Sequence, residues 1–295
     1  MNNRQQMMVE MEIRPLYTLT ELAAIESLER DIWSMSDLEI ISVHTLHALV
    51  HSGGQVLGAF DGDQLIGFVV SILGKQSHEH LLAAAQLKIY SVIAGVAKAY
   101  QNQNVGYLLK LAQREFAKSI GIPQITWTYD PLESRNARFN VAKLGAVCHK
   151  YHRDFHGEMS GINAGTATDR FEVDWWVLHD RVKQRVEEEK RPLTRDRLPE
   201  METAVVNQTS YNAAGLLMPP EAWSFPAAAT LFVEIPANYQ LLKKEDFVLA
   251  QRWRYHTRSV FEELFSCGYA VTDFISEEQD NVRRSFYELT KWQEL

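Results

Sequence analysis

The stretch from Leu87 to Gly121, LKIYSVIAGVAKAYQNQNVGYLLKLAQREFAKSIG, limits the possible folds more than any other part of the chain. Residues 87–97 form an apolar run of strand length. A turn rich in Gln and Asn follows. Val105, Leu108, Leu109, Ala112 and Phe116 then recur on one stripe at helical spacing, with Lys110, Gln113, Arg114 and Lys118 off it. Gly121 is a natural helix stop. Ile125–Tyr129 reads as the next strand, ended by Asp130 and Pro131. Strand, helix and strand in so short a span make a crossover unit, so the two strands are expected to be parallel neighbours. The turn between strand and helix would offer an anion the unpaired N–H groups of a helix N-terminus.

The segments before this unit predict an antiparallel start. Glu12–Leu16 reads as a strand. A helix runs from Thr20 to Arg30, capped by Thr18 or Thr20, with Leu22, Ile25 and Leu28 inward. A second helix spans Val43–His51 and stops at Gly53 and Gly54. Gln55–Phe60, the turn Asp61-Gly62-Asp63 and Gln64–Ile72 form a hairpin, because Asp-Gly between apolar runs favours that turn. Gly74–Glu79 is expected to be a loop. After the central unit, Asn136–Leu144 predicts a short helix closed by Gly145, and Val147–His156 and Phe171–Leu178 predict strands.

Composition then bounds the domain count and the partners. At 295 residues the chain is comfortable for two domains, with 46% hydrophobic and 23% charged residues, as in a globular protein with a substantial core. The net charge of −8 argues against a general affinity for nucleic acid or an anionic membrane. Cys148 and Cys267 are too few for a metal knuckle or a disulfide framework. With an N-terminal MNNRQQMMVEMEIR that lacks an apolar run, they suit a reducing, cytoplasmic setting. No apolar run is long enough to span a membrane. The sequence changes character at Asp180–Glu200, which is strongly charged with two prolines and reads as a solvated helix end plus linker, a basic docking segment interrupted by acidic residues being the alternative. Beyond it, Thr230–Ile235 is a strand. Lys243–Phe265 is a long helix with Ala250, Trp253, Thr257, Val260, Phe261 and Leu264 inward. Tyr269–Ile275 and Arg284–Leu289 are strands. This order echoes residues 87–129, which suggests either a degenerate second copy or an appendage packed on the first half.

The residues Tyr100-Gln101-Asn102-Gln103-Asn104-Val105-Gly106-Tyr107 resemble the pyrophosphate loop of the GNAT superfamily of N-acetyltransferases, of the form Q/R-x-x-G-x-G/A. Gln101 stands at the Q/R position, Asn104 at the first Gly and Gly106 at the second. Glycine there permits close backbone approach and positive φ, and Asn is the residue that best replaces it in the left-handed region. The element order over residues 12–178 matches the family layout, including a later helix that ends in Leu144-Gly145. Trp127–Asn140, and in the second half Glu234-Ile235-Pro236 and Trp253–Arg258, look like a little-characterised branch of predicted acetyltransferases. The resemblance implies a mixed α+β fold whose sheet has a central splayed parallel strand pair, plus a smaller C-terminal α/β part. The domains would be 12–180, a charged linker at 181–200, and 201–295. It also implies an acyl-CoA substrate, acetyl-CoA first, and transfer of the acyl group to a small-molecule amine or amino-acid-like acceptor. A non-catalytic acyl-CoA-binding protein of the same fold is the alternative.

By that resemblance Ala94, Gly95 and Val96 would hold the pantetheine arm. Gln101, Asn102, Gln103, Asn104, Val105, Gly106 and Tyr107 would hold the pyrophosphate, and Asn136 would touch the arm or cap its helix. Many members place a Tyr four residues before the late Gly to protonate the leaving thiolate, a place taken here by Val141. Tyr107, Tyr129 or Tyr151 is left for that role. Asp130 is the nearest ordered candidate for a general base, a water chain being the alternative. His152 and His156 alternate with Tyr151 and Phe155 on the expected strand, so that one of them could face the acceptor. Asp169 and Arg170 suit either a substrate carboxylate or a structural ion pair. Arg258 has Glu262 at i+4, the simplest surface partner. His44, His47 and His51 read as a polar helix face without metal. The oligomeric state is expected to be monomer or homodimer.

Overall fold

The computed structural model describes residues 11–34, 36–76, 87–157, 165–188, 204–279 and 282–292. The expected polar N-terminal tail, the loop from residue 77 and the linker from residue 189 lie outside the described residues. The fold is mixed α/β. It divides into two compact units, Met1–Ile125 with Ser160–Ile162, and Thr126–Met159 with Asn163–Leu295.

In the first unit β1 (Met11–Pro15), β2 (Gln55–Asp61), β3 (Gln64–Lys75) and β4 (Leu87–Val96) pair in sequence order, each antiparallel to its neighbour. β3 continues through Gly74 and Lys75, which local composition assigns to a loop, because both pair with β4. Opposite Val70 and Ser71, β4 carries one extra residue: Val70 pairs with Ile93 and Ser71 with Ser91, so Val92 bulges. Helix α1 (Leu19–Trp33) is capped by Thr18 and Glu21, which bond each other's backbone in a reciprocal capping box. Leu22, Ile25 and Leu28 face Leu46 of α2 (Val43–His51) and Val56, Phe68 and Val70 of the sheet. Helix α3 (Val105–Ser119) packs on the strands through Val105 and Leu109.

The buried face of α3 differs from the apolar stripe in the sequence. Lys110, Gln113, Arg114 and Ala117 are buried, whereas Leu108 is 37% exposed. Polar side chains can turn inward here because the strands meet them with hydroxyls: Gln113 Nε2 donates to Ser71 Oγ at 2.6 Å, and Lys110 Nζ to Ser91 Oγ at 2.9 Å.

The second unit takes most of β5 (Gln124–Tyr129) and orders its strands β5-β7-β6-β11-β12-β10. The short helix starts at Ser134, two residues before Asn136, as α4 (Ser134–Ala137), and finishes as a wider π turn over Arg138–Lys143. Gly145, at φ +76, closes it. A Cβ there would meet Arg185 Cγ at 2.9 Å. β6 (Val147–His152) ends earlier than the alternation suggests, and Arg153–His156 forms a turn that leads toward β7 (Arg170–Trp176). The turn holds because Asp154, at φ +47, accepts from the Thr168 N–H and hydroxyl. The charged segment after residue 180 starts as α5 (Asp180–Val186), with Val182 and Arg185 buried and Arg185 paired to Asp273 at 2.6 Å.

A two-residue ladder, β8 (Ser210–Tyr211) with β9 (Leu217–Met218), precedes β10 (Thr230–Ile235). The expected single helix over 243–265 is two helices, α6 (Tyr239–Glu245) and α7 (Phe247–Ser266). Asp246 breaks it: its backbone is extended and its carboxylate accepts from Leu249 N–H at 2.8 Å, capping α7. All six inward residues expected on this stretch are buried, together with Leu249 and Arg254. β12 (Val282–Lys291) lies between β11 (Tyr269–Gln279) and β10 and is antiparallel to both. The echo of residues 87–129 is therefore one of order, since β10 and β11 are not neighbours. Phe171 is the hub of the core, in ring contact with Tyr129, Tyr151, Phe261, Phe265 and Tyr287.

Candidate functional site

In the first unit β4 leads into a single 3-10 turn, Lys98–Tyr100, and then the residues 101–104. Side chains tie this loop down at three points. The Tyr100 hydroxyl donates to Asp61 Oδ2 at 2.7 Å, Gln101 Nε2 to the Val96 carbonyl at 3.3 Å, and Gln103 Nε2 to the Ala99 carbonyl at 2.9 Å. Asn102 and Asn104 both adopt left-handed φ, 66° and 64°. Asn104 stands at the first glycine position of the loop, where Asn was read as the replacement. Asn104 is the N-cap residue of α3, yet its side chain makes no capping hydrogen bond. The first helical N–H with an acceptor inside the helix is Leu108, to the Asn104 carbonyl at 3.0 Å. The N–H groups of Val105 and Gly106 thus have no intrahelical carbonyl. At Gly106 a Cβ would meet only Val96 Cγ2, at 3.6 Å, so the protein's own packing does not require glycine there. The result is a loop pinned by three side-chain hydrogen bonds at the head of α3.

Upstream on β4, Ala94 is exposed. Gly95 has another role, because a Cβ there would fall within 2.9 Å of Trp33, Ile32 and Phe68. Its smallness lets α1 close on the strand.

The residues read as acid, base and acceptor contacts lie in the second unit. Asp130 is buried and bound at both oxygens by Arg254, at 2.8 and 2.5 Å, while Oδ1 also accepts from Leu132 N–H. The Tyr151 hydroxyl donates to Asp169 at 2.7 Å. Burial, the Asp169 charge and that hydrogen bond raise its pKa far above the ordinary tyrosine range. Asp169 is fully buried and gathers Arg258 through two bonds, Tyr151, and the Asp154 N–H. Burial opposes its ionisation, but the Arg258 pair and the other donors overcome this and hold the carboxyl below its usual pKa. Asp169 is therefore the partner of Arg258, and Glu262 pairs with Arg153 instead, at 2.6 Å. The two arginines of α7, one turn apart, reach the end of β5 and the start of β7.

His156 sits exposed in the turn after β6, where desolvation and the nearby Arg170 lower its pKa. Arg170 is half-buried at the first residue of β7, opposite His152. Asn136 is exposed within α4 and is not its cap, which is Glu133. Tyr129 is buried against Tyr287 and Cys148, with its hydroxyl 3.2 Å from that of Tyr287, and burial pushes its pKa up. Val141 is fully buried. His44, His47 and His51 lie on the exposed face of α2, and among the described residues no group of three metal-type side chains gathers. No described helix is long and apolar enough to cross a membrane.

The sequence reading missed the ion-pair partners of Arg254 and Arg258, and it missed the inward set Lys110, Gln113 and Ser91. Spacing alone held one signal for the latter, since Lys110, Gln113 and Arg114 form their own i, i+3, i+4 stripe.

No family model and no curated protein matches the chain. Among solved structures, it is similar to NAA60 of Arabidopsis thaliana in complex with acetyl-CoA. That match has 14% identity and a TM-score of 0.47, and covers 57% of this chain and 99% of that one. It is also similar to the ribosomal-protein-S18-alanine N-acetyltransferase from Escherichia coli, at 13% identity and a TM-score of 0.44, over 57% of this chain and 94% of that one. A third is an aminoglycoside acetyltransferase from an uncultured soil metagenomic sample, at 18% identity and a TM-score of 0.38, over 44% of this chain and 84% of that one. These structural neighbours are GNAT N-acetyltransferases.

Proposed function

We propose that this protein is an acyl-CoA-dependent N-acyltransferase, with acetyl-CoA as its donor and a small amine or amino-acid-like molecule as acceptor. The observation that carries the reading is the loop at 101–106. Two asparagines spend conformational energy in the left-handed region, the helix they introduce is left without a side-chain cap, and Gly106 keeps clear a space that the protein itself does not fill. A diphosphate is the anion that such a row of N–H groups, with the helix dipole behind it, suits best. The arm would then run back along β4 past Val96 and the exposed Ala94.

In the reaction the acceptor amine, once deprotonated, attacks the thioester carbonyl. The N–C bond forms, the C–S bond breaks, and the sulfur leaves with the electron pair. A backbone N–H aimed at the carbonyl oxygen stabilises the developing charge. For the base we assign a water chain, which carries off the amine proton. Asp130 and Tyr151 fit a framing role better, since their polar atoms are engaged by Arg254 and Asp169.

Calorimetric titration with acetyl-CoA and CoA tests the donor site, with Gly106→Ala as the diagnostic variant. The alanine methyl has room in the free protein, so folding is expected to be unchanged. Binding should weaken about tenfold, the worth of one hydrogen bond to a charged phosphate. Absence of binding by the wild type at millimolar ligand would sink the reading. A thioester-consumption screen over amines then tests turnover: no consumption with any acceptor, despite binding, would leave an acyl-CoA-binding protein.

A further inference from the structure

Burying a lysine and a glutamine on the inner face of a helix, while a leucine of the same helix stays half outside, costs desolvation that a plain core would avoid. In α3 the lysine is Lys110, 5% exposed, and the glutamine is Gln113, fully buried. They form one connected row. Lys110 Nζ donates to Ser91 Oγ and to Gln113 Oε1, both at 2.9 Å, and Gln113 Nε2 donates to Ser71 Oγ at 2.6 Å. Ser91 accepts from Lys110, and among the described residues nothing takes the proton of its own hydroxyl. Burial pulls the Lys110 amine down to about 7, so it exchanges a proton near neutral pH.

The position of this row on β4 is what gives it meaning. Gly106 abuts Val96, so an arm leaving the loop meets β4 there. The bulged Val92 lies four residues back, about 13 Å at roughly 3.3 Å per residue, within the reach of a pantetheine arm. Ser91 is the next residue, at the point where the bulge has disturbed the ladder.

We propose that Ser91 and Lys110 form the sulfur end of the donor site, with Ser91 donating to the leaving sulfur and Lys110 resupplying the proton. The inference rests on the acyl-CoA reading above. When the C–S bond breaks, the electron pair goes to sulfur. The Ser91 proton moves to it, Ser91 Oγ takes a proton from the Lys110 ammonium, and the neutral amine is reprotonated from solvent. Ser91 is the catalytic residue and Lys110 the positioning residue behind it.

The test compares CoA with desulfo-CoA by calorimetry at pH 7.5, in the wild type, Ser91→Ala, Lys110→Met and the double variant, with thermal melts to verify folding. Methionine keeps the volume and helix preference of lysine, and Ser91→Ala is a small change, so at least one variant stays folded. The wild type should bind CoA about tenfold more tightly than desulfo-CoA. Each single variant should bind both ligands alike, and the double variant should lose nothing further. General structural damage would weaken both ligands together. A retained preference in either folded variant, or a wild type that binds the two ligands equally, overturns the proposal and leaves the donor site standing. A wild type that binds neither overturns the donor site itself.

Discussion

Glu29 has the least comfortable environment of any described carboxyl in the first unit. It is fully buried on α1, Oε2 accepts from the Ile41 N–H at 3.1 Å, and Oε1 has no partner among the described residues. Desolvation raises its pKa from 4.5 to about 7, against the lowering effect of the Ile41 bond and with a further push from Glu26. The linkage follows from the direction. A carboxyl that holds its proton more tightly in the folded chain favours folding fully below the unfolded value near 4.5, and loses that contribution as pH rises through about 7. The loss amounts to at most about 3 kcal/mol. Glu29→Gln resembles the protonated form at every pH. Melting temperatures at pH 5 and pH 8 should therefore fall more steeply with pH in the wild type than in Glu29→Gln, and parallel slopes would refute the assignment.

Helix α7 acts as a clamp because two arginines one turn apart each meet a buried carboxylate on a different strand end, Arg254 with Asp130 and Arg258 with Asp169. Removing one partner of such a pair strands the other charge in the interior, at a cost of about 3–5 kcal/mol. Arg254→Met should lower the urea-unfolding free energy by that order, and adding Asp130→Asn should recover a good part of it. A single-variant loss under about 1 kcal/mol would show that the pair is dispensable. The clamp was not legible in the sequence, since Asp130 and Asp169 stand far from α7 along the chain while Glu262 lies at the deceptive i+4 place. The inner face of α3 escaped for a related reason: Ser71 and Ser91 turn polar side chains inward, and no apolar count within the helix registers them. Features set by neighbouring residues were readable. The Asp61-Gly62-Asp63 hairpin, the Thr18 cap and the left-handed asparagines at 102 and 104 all follow from local backbone chemistry. So was the cap at Asp246 in principle, but the apolar spacing on either side of it suggested a continuous helix.

At the scale of the whole chain, a boundary near residue 200 meets the packing of the second unit. β11 pairs with β6 at Val271 and Cys148, and Tyr287 of β12 bonds Tyr129 and the Pro131 carbonyl. Phe261 and Phe265 of α7 close on Phe171. Ser134 and Glu133, at the start of α4, are bound by the Ala237 carbonyl and by Gln240. Residues 126–178 thus complete their core with strands and a helix drawn from beyond residue 200. A chain ending at Glu200 would expose Phe171 and Tyr129, each worth about 1.5–3 kcal/mol of burial, and would leave Asp130 and Asp169 without their arginines in what remained of the interior. Such a truncation should be insoluble, or should elute as a large aggregate on size exclusion, with loss of the cooperative melt. If 201–295 were an independent module, the same truncation would elute as a monomer and melt sharply. A soluble, cooperative product would therefore overturn the shared core, and it would return the C-terminal part to the role of a separable domain.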